Sequence, residues 1–154
     1  MNIFTSEYFM KKALIEAQRA FDNDEIPVGA IIVSNHQIIA KTHNHTEKLQ
    51  DVTAHAEILA ITAASNYLGT KYLPDCTLYV TLEPCPMCAG ALAWSQIGKI
   101  VFAASDVKKG FSLIEHQLLH PKTMIEGGVL ETESQELLQR FFSGEKKVVM
   151  NDEL

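Results

Sequence analysis

Cys76-Thr77-Leu78-Tyr79-Val80-Thr81-Leu82-Glu83-Pro84-Cys85-Pro86-Met87-Cys88 holds the reading that decides the fold. Its first half, Cys76 to Leu82, is β-rich and dense in apolar residues, the pattern of a strand covered on both faces. A short helix follows at once, from about Pro86 to Trp94. Pro86 suits the first helical position, where its missing N–H removes no intrahelical bond. Downstream, Lys99 to Ala104 is a second buried-looking strand. Strand, helix and strand in succession point to a layered α/β arrangement.

Upstream, residues from about Glu7 to Phe21 place Phe9, Ala13, Leu14, Ala17, Ala20 and Phe21 on one helical face, with Ser6 as N-cap. Pro27-Val28-Gly29 punctuates. Ala30 to Val33 and Gln37 to Ala40 read as two strands joined by a turn at Ser34-Asn35-His36. A polar stretch from Thr42 to Asp51 carries His43, Asn44 and His45. A helix is expected from about Ala54 to Tyr67, with Thr53 as N-cap and Gly69 just past its end. Beyond the second buried strand the pattern is less regular. It offers a loop around Lys108-Lys109-Gly110, a short helical piece near Ser112 to Leu118, and a final strand at Gly127 to Leu130. A last helix follows, with a Thr132/Gln135 capping box and with Leu137, Leu138, Phe141 and Phe142 turned inward. The order predicts a single α/β sandwich domain over residues 1–154.

The bulk properties narrow the function. The chain has 154 residues, 47% of them hydrophobic and 21% charged, with a formal net charge of -6. With this apolar and charged content, disorder is not the default reading. The negative charge argues against an indiscriminate nucleic-acid coat, because that mode rests on counterion release by Lys and Arg; a local basic patch stays open. The first residues lack a basic segment followed by an apolar one, and no apolar run reaches the length of a membrane span. The three cysteines form no disulfide framework, and two of them are three residues apart. Metal or redox chemistry in a reducing compartment is the expectation, hence a cytoplasmic protein.

Two motifs carry the chemistry, Thr53-Ala54-His55-Ala56-Glu57 and Glu83-Pro84-Cys85-Pro86-Met87-Cys88, and both sit where a helix begins. Cys85 and Cys88 fall within one helical turn, so their sulfurs can face one point. The positive end of a helix favours thiolate, the form that binds zinc. With His55 they make three ligands, the count of a catalytic zinc site, which leaves a fourth position to water or substrate. Glu57 shares the helix start with His55 without pointing the same way, so it can handle protons beside the metal without ligating it. Alone, Cys-x-x-C fits zinc or thioredoxin-like redox chemistry equally, and His-x-Glu fits an ordinary surface helix start. Their conjunction favours catalytic zinc. No βαβ unit precedes the cysteines as in a thioredoxin, and a purely structural zinc would leave Glu57 without a role. Cys76 reads as a small buried hydrophobe, and His36, His116 and His120 have no evident partner.

His-x-Glu followed by Pro-Cys-x-x-Cys is the known signature of the zinc deaminases of nucleobases, with the Glu as acid and base. The chain resembles, more narrowly, the bacterial tRNA-specific adenosine deaminases of the cytidine deaminase-like superfamily. Ile26-Pro27-Val28-Gly29-Ala30, His43-Asn44, Asp51 to Glu57, Thr77 to Ala91 and Gln96 to Phe102 carry the resemblance. It implies a three-layer α/β/α sandwich with a mixed sheet of about five strands. It implies one Zn²⁺ per subunit, and a homodimer with active sites near the interface. The implied reaction converts adenosine to inosine in the tRNA anticodon loop, at the wobble position, releasing ammonia. The resemblance assigns Asn44 to the base, Val28 to an apolar pocket wall, Ala56 and Cys85 to backbone groups beside the reacting carbon, Asp106 to the tRNA backbone and Phe142 to an aromatic near the pocket. Four of these have a plainer alternative: a turn-capping Asn44, core packing for Val28 and Phe142, a surface loop for Asp106.

The chain departs from that pattern in places. Ser105 stands where the family often has Arg, the loop Val107 to Ser112 is short, and the last helix and the tail from Asn151 to Leu154 are poor in cations. Lys108, Lys109, Lys146 and Lys147 are the remaining candidates for phosphate contacts, which are what place an RNA. Two other readings therefore stand beside the tRNA one. One is a deaminase of a free base or nucleoside such as guanine, cytosine or cytidine. The other is a non-catalytic zinc-bearing partner subunit, which the presence of Glu57 opposes. A basic groove at the zinc favours tRNA, and a closing lid favours a free base.

Overall fold

A computed structural model describes residues 3–144. Lys146, Lys147 and the segment 151–154 lie outside them. The first helix, α1 (Ser6–Asp22), is capped one residue earlier than expected. The Thr5 side chain accepts from the Tyr8 N–H at 3.1 Å, which leaves Ser6 inside the helix. A hairpin follows, β1 (Gly29–Ser34) and β2 (Gln37–His43). Asn35 and His36 both have positive φ, 51° and 63°, which is the type I′ geometry that matches strand twist. Next come a one-turn helix α2 (Thr46–Leu49), α3 (Ala56–Leu68), β3 (Cys76–Leu82), α4 (Pro86–Ser95) and β4 (Lys99–Ala104). β5 (Met124–Glu126) and α5 (Glu131–Phe142) complete the described residues.

The strands form one mixed five-stranded sheet in the order β2-β1-β3-β4-β5. β1 is antiparallel to β2 and β3, whereas β3, β4 and β5 run parallel. Strand alternation sends side chains to two faces. Ala30, Ile32, Leu78, Val80, Ile100 and Phe102 pack with Ala56, Ala60 and Ala64 of α3 and with Ala89 and Leu92 of α4. Ile31, Val33, Tyr79, Val101 and Ala103 pack with Phe9, Met10 and Ala13 of α1 on the other face. The α3 alanines recur every four residues, so the helix lies close on the sheet. α5 joins α1 on its side through Leu137 and Phe141 against Ala17 and Phe21. The three-layer α/β/α sandwich is thus observed.

Four local expectations are corrected. Thr53 is not the cap of α3; its N–H and hydroxyl both bond Asp51 Oδ1, and His55 occupies the cap position. The final strand is Met124–Glu126 rather than Gly127 to Leu130. Gly127 lies against the Phe102 ring, Gly128 has φ +84°, and Leu130 sits in the left-handed region as the cap of α5. Thr132 is therefore interior to α5, and Gln135 bonds Glu131 instead. The piece near Ser112 to Leu118 is reduced to a 3-10 turn at Phe111–Leu113.

Candidate metal centre and base-sized cavity

β3 and β4 are parallel, and α4 crosses between them, so the carboxyl end of β3 feeds straight into the amino end of α4. Ligand sites of open α/β sheets gather at such strand ends. Cys85 is the N-cap of α4 and Cys88 lies in its first turn; His55 is the N-cap of α3. Neither N-cap residue spends its side chain on capping, so the sulfur and the imidazole are available. Two helix amino termini thus converge on one point, and both favour negative charge there.

The His55 Nδ1 atom is 3.7 Å from Cys85 Sγ and 3.4 Å from Cys88 Sγ, and the three ligand atoms lie within 4.8 Å of one another. Tetrahedral zinc with ordinary Zn–S and Zn–N bonds requires an S···N separation of about 3.6 Å. The donor set fits Zn²⁺ in identity, count and spacing. The thiols are polarised against one another: hydrogen bonding from Cys88, then from His55, brings Cys85 down to about 4. Cys88 is pushed up because it donates to Cys85 and is buried. The His55 imidazole is raised by its bond to Cys85.

Glu57 lies beside this centre in the first turn of α3 and is only 4% exposed. Burial lifts its carboxyl to about 7, a range suited to giving and taking protons at neutral pH. A cavity of about 210 Å³ opens here, lined by Ile26, Val28, Asn44, Thr46, Leu82, Glu83, Asp106 and Lys109 with His55, Glu57 and Cys85. Drug-sized ligand pockets start near 300 Å³, so the space suits a single base-sized ring. Among the described residues its lining carries three carboxylates and one lysine, so the cavity itself is not basic.

The residues singled out from the sequence fall unevenly around it. Asn44 and Val28 line the cavity and are 7% and 5% exposed. Asn44 Oδ1 accepts the Ala56 N–H at 3.0 Å, and its Nδ2 donates to the Ile26 carbonyl at 3.1 Å. Asn44 therefore supplies the cap that His55 forgoes, while one of its amide hydrogens stays uncommitted. Ala56 also accepts from Thr42 Oγ1 at 2.7 Å, so both of its backbone groups already have partners. Asp106 lines the cavity, and its Oδ1 accepts from the N–H groups of Lys108 and Lys109. Phe142 is not among the lining. It is 69% exposed and touches Phe141 edge-on, because Leu137 and Phe141 occupy the inward side of α5.

Three buried carboxylates escaped the sequence reading. Glu16 accepts from Arg19 and from His43 Nδ1 at 2.6 and 3.0 Å. Glu25 accepts from the N–H groups of Glu47 and Lys48, tying down α2. Glu83 accepts from Asp106 and Ser112. Glu83 lies inside the quoted motif, but its partners are more than twenty residues away. Of the histidines without evident partners, His36 stacks on Phe4 and His120 accepts from the Lys122 N–H.

Comparison with known proteins agrees with this geometry. The family described as cytidine and deoxycytidylate deaminase zinc-binding region matches residues 4–104. The chain is 52% identical over 141 residues to a tRNA-specific adenosine deaminase of Aquifex aeolicus, covering 88% of this chain and 93% of that protein. A solved structure from work on A-to-I editing by tRNA:A34 deaminases at the wobble position aligns with a TM-score of 0.79 at 41% identity, over 85% of this chain and 99% of the other. A guanine deaminase from Bacillus subtilis aligns at 41% identity with a TM-score of 0.62, over 68% of this chain and 66% of the other. The chain belongs to the zinc-binding cytidine and deoxycytidylate deaminase family, among the relatives of the tRNA-specific adenosine deaminases.

Proposed function

We propose that this protein deaminates adenosine to inosine at the wobble position of a tRNA. The observation that carries the substrate is the 52% identity to a tRNA-specific adenosine deaminase over nearly the whole of both chains. At equal identity, the guanine deaminase aligns over a smaller part of the chain than the tRNA:A34 deaminase does. The cavity's size admits a single base, so it fits a flipped nucleotide and a free base alike, and the relatives carry the choice.

His55, Cys85 and Cys88 would hold the zinc, which when bound would supply Lewis acidity toward water. Glu57 takes one proton from the attacking water and gives it to a purine ring nitrogen, then takes the remaining proton of the added hydroxyl and gives it to the leaving amine. A C–O bond forms at the amine-bearing carbon, the C–N bond breaks, and ammonia departs. The uncommitted Nδ2 hydrogen of Asn44 donates to a ring nitrogen, and Val28 covers a face of the base. Phe142 is exposed and outside the cavity lining, so this reading assigns it no role in holding the base.

The whole chain acts as one domain and pairs as a homodimer. Trp94 is 84% exposed and Met87 40% exposed, both on the helix that bears the cysteines, and they offer an apolar face to a second copy. Among the described residues no helix is long and apolar enough to cross a membrane, and the cysteines are unpaired. Both suit the cytoplasm, where tRNA is found and thiols stay reduced.

The deciding experiment incubates the protein with an anticodon stem-loop bearing wobble adenosine and looks for inosine. Guanine, cytosine and cytidine are assayed in parallel. Inosine with no turnover of the free compounds is the expected result. Turnover of guanine alone would replace the tRNA reading with a free-base one.

A further inference from the structure

Glu83 is a cavity-lining carboxylate only 3% exposed, and neither of its oxygens faces the cavity without a partner. Oε1 accepts the Asp106 N–H at 3.1 Å and Oε2 accepts the Ser112 N–H at 2.9 Å. The next residue continues the attachment, since the Pro84 carbonyl accepts the Phe111 N–H at 2.9 Å. The two ends of the loop after β4 are thus fastened to the two residues that precede Cys85.

Gly110 lies between those ends. Its φ and ψ are -66° and 148°, a conformation open to any residue. A Cβ there would overlap the Glu83 carboxyl group. Glycine is required for room, so that the loop backbone can press onto the carboxylate. Asp106 completes the loop internally: its Oδ1 accepts two N–H groups, and its carbonyl accepts the Gly110 N–H at 2.9 Å.

We propose that Glu83 and Gly110 form a clasp that positions the wall of the cavity facing the target nucleotide, Glu83 being a positioning residue rather than a proton carrier. The clasp fixes where Asp106 and Lys109 stand relative to the metal ligands. Lys109 is the one cation of the cavity lining among the described residues, which makes it the group placed to meet a phosphate as the nucleotide enters. The proposal rests on the tRNA reading for its substrate and on the structure alone for the clasp.

The test uses the zinc-loaded protein and the variants Glu83→Gln, Gly110→Ala and the double substitution. Bound zinc should stay at one per chain in all three. Amide exchange at Asp106 and Ser112 should rise roughly tenfold or more in both single variants. For the stem-loop, KM should rise roughly tenfold while kcat stays within about threefold. The double variant should be no worse than the worse single, because both remove one contact. Loss of zinc, a fall in kcat at unchanged KM, additive effects, or unchanged exchange would each overturn the clasp. If Glu83→Gln fails to fold, Gly110→Ala alone decides. If the wild type makes no inosine, the tRNA reading fails; the clasp is then judged by exchange, and KM is taken on whichever free compound is deaminated.

Discussion

Asn44 serves two masters, the helix whose first N–H it caps and the cavity it lines. Replacing it with Ala removes a cap and strands the Ala56 N–H, while the Ile26 carbonyl keeps its bond from the Val28 N–H. We expect a loss of about 1–2 kcal/mol in urea unfolding, together with loss of turnover. Glu57→Gln separates chemistry from folding more cleanly. The amide fills the same space but cannot shuttle protons, so kcat should fall by about 10²–10⁴-fold with zinc retained at one per chain. Wild-type turnover by that variant would end its proton-carrying role. These residues differ in how far the sequence reveals them. His55, Glu57, Cys85 and Cys88 are legible because each motif is short-range and each helix start aims its own side chains. The Asn44 cap spans twelve residues, and Glu83's bonds span twenty-three and twenty-nine, so only the folded chain shows them.

Among the elements, those with strong patterns were readable and the weak ones were not. β3, α4 and β4 lie where apolar density, Pro86 and the following polar break placed them. β5 is only three residues long and mostly exposed, so no hydrophobic pattern marks it. The more apolar Val129-Leu130 beside it belongs to the approach to α5. α2 is a single turn whose N–H groups are held by Glu25 from a distant segment, which no local propensity encodes. α3 ends as its glycine foretold: Gly69 is the left-handed C-cap, with φ 71°. Nothing lies within 4 Å of a Cβ built there, so Gly69→Ala should cost only the backbone strain, about 1 kcal/mol, seen as a lowered urea midpoint with unchanged activity. At Gly29 the outcome differs, because a Cβ would overlap the Ala13 carbonyl and force α1 off the sheet.

For the whole molecule, the metal ligands come from two helices that share one face of the sheet, so zinc would tie α3 to α4. Chelation should abolish turnover and lower the unfolding temperature, and added zinc should restore both. Acid should act the same way. The ligands must be deprotonated to bind, so affinity falls as pH drops and protons compete for His55 and the thiolates; a fluorescent zinc indicator would follow the release. Trp94→Glu should shift the sedimentation coefficient toward that of a single chain if the second copy sits on α4.

The three buried carboxylates Glu16, Glu25 and Glu83 have a wider consequence. Glu16 bonds His43 at the end of β2, Glu25 holds α2 and Glu83 holds the loop after β4, while Ile26, Thr46 and Lys109 line the cavity. Scaffolding and recognition are thereby given largely to different side chains, Asn44 being the exception that does both. Selection, natural or in the laboratory, can exchange the recognition set one residue at a time with the scaffold left standing. A pocket arranged this way is evolvable, and shifts of substrate preference should arise there at small expense in stability.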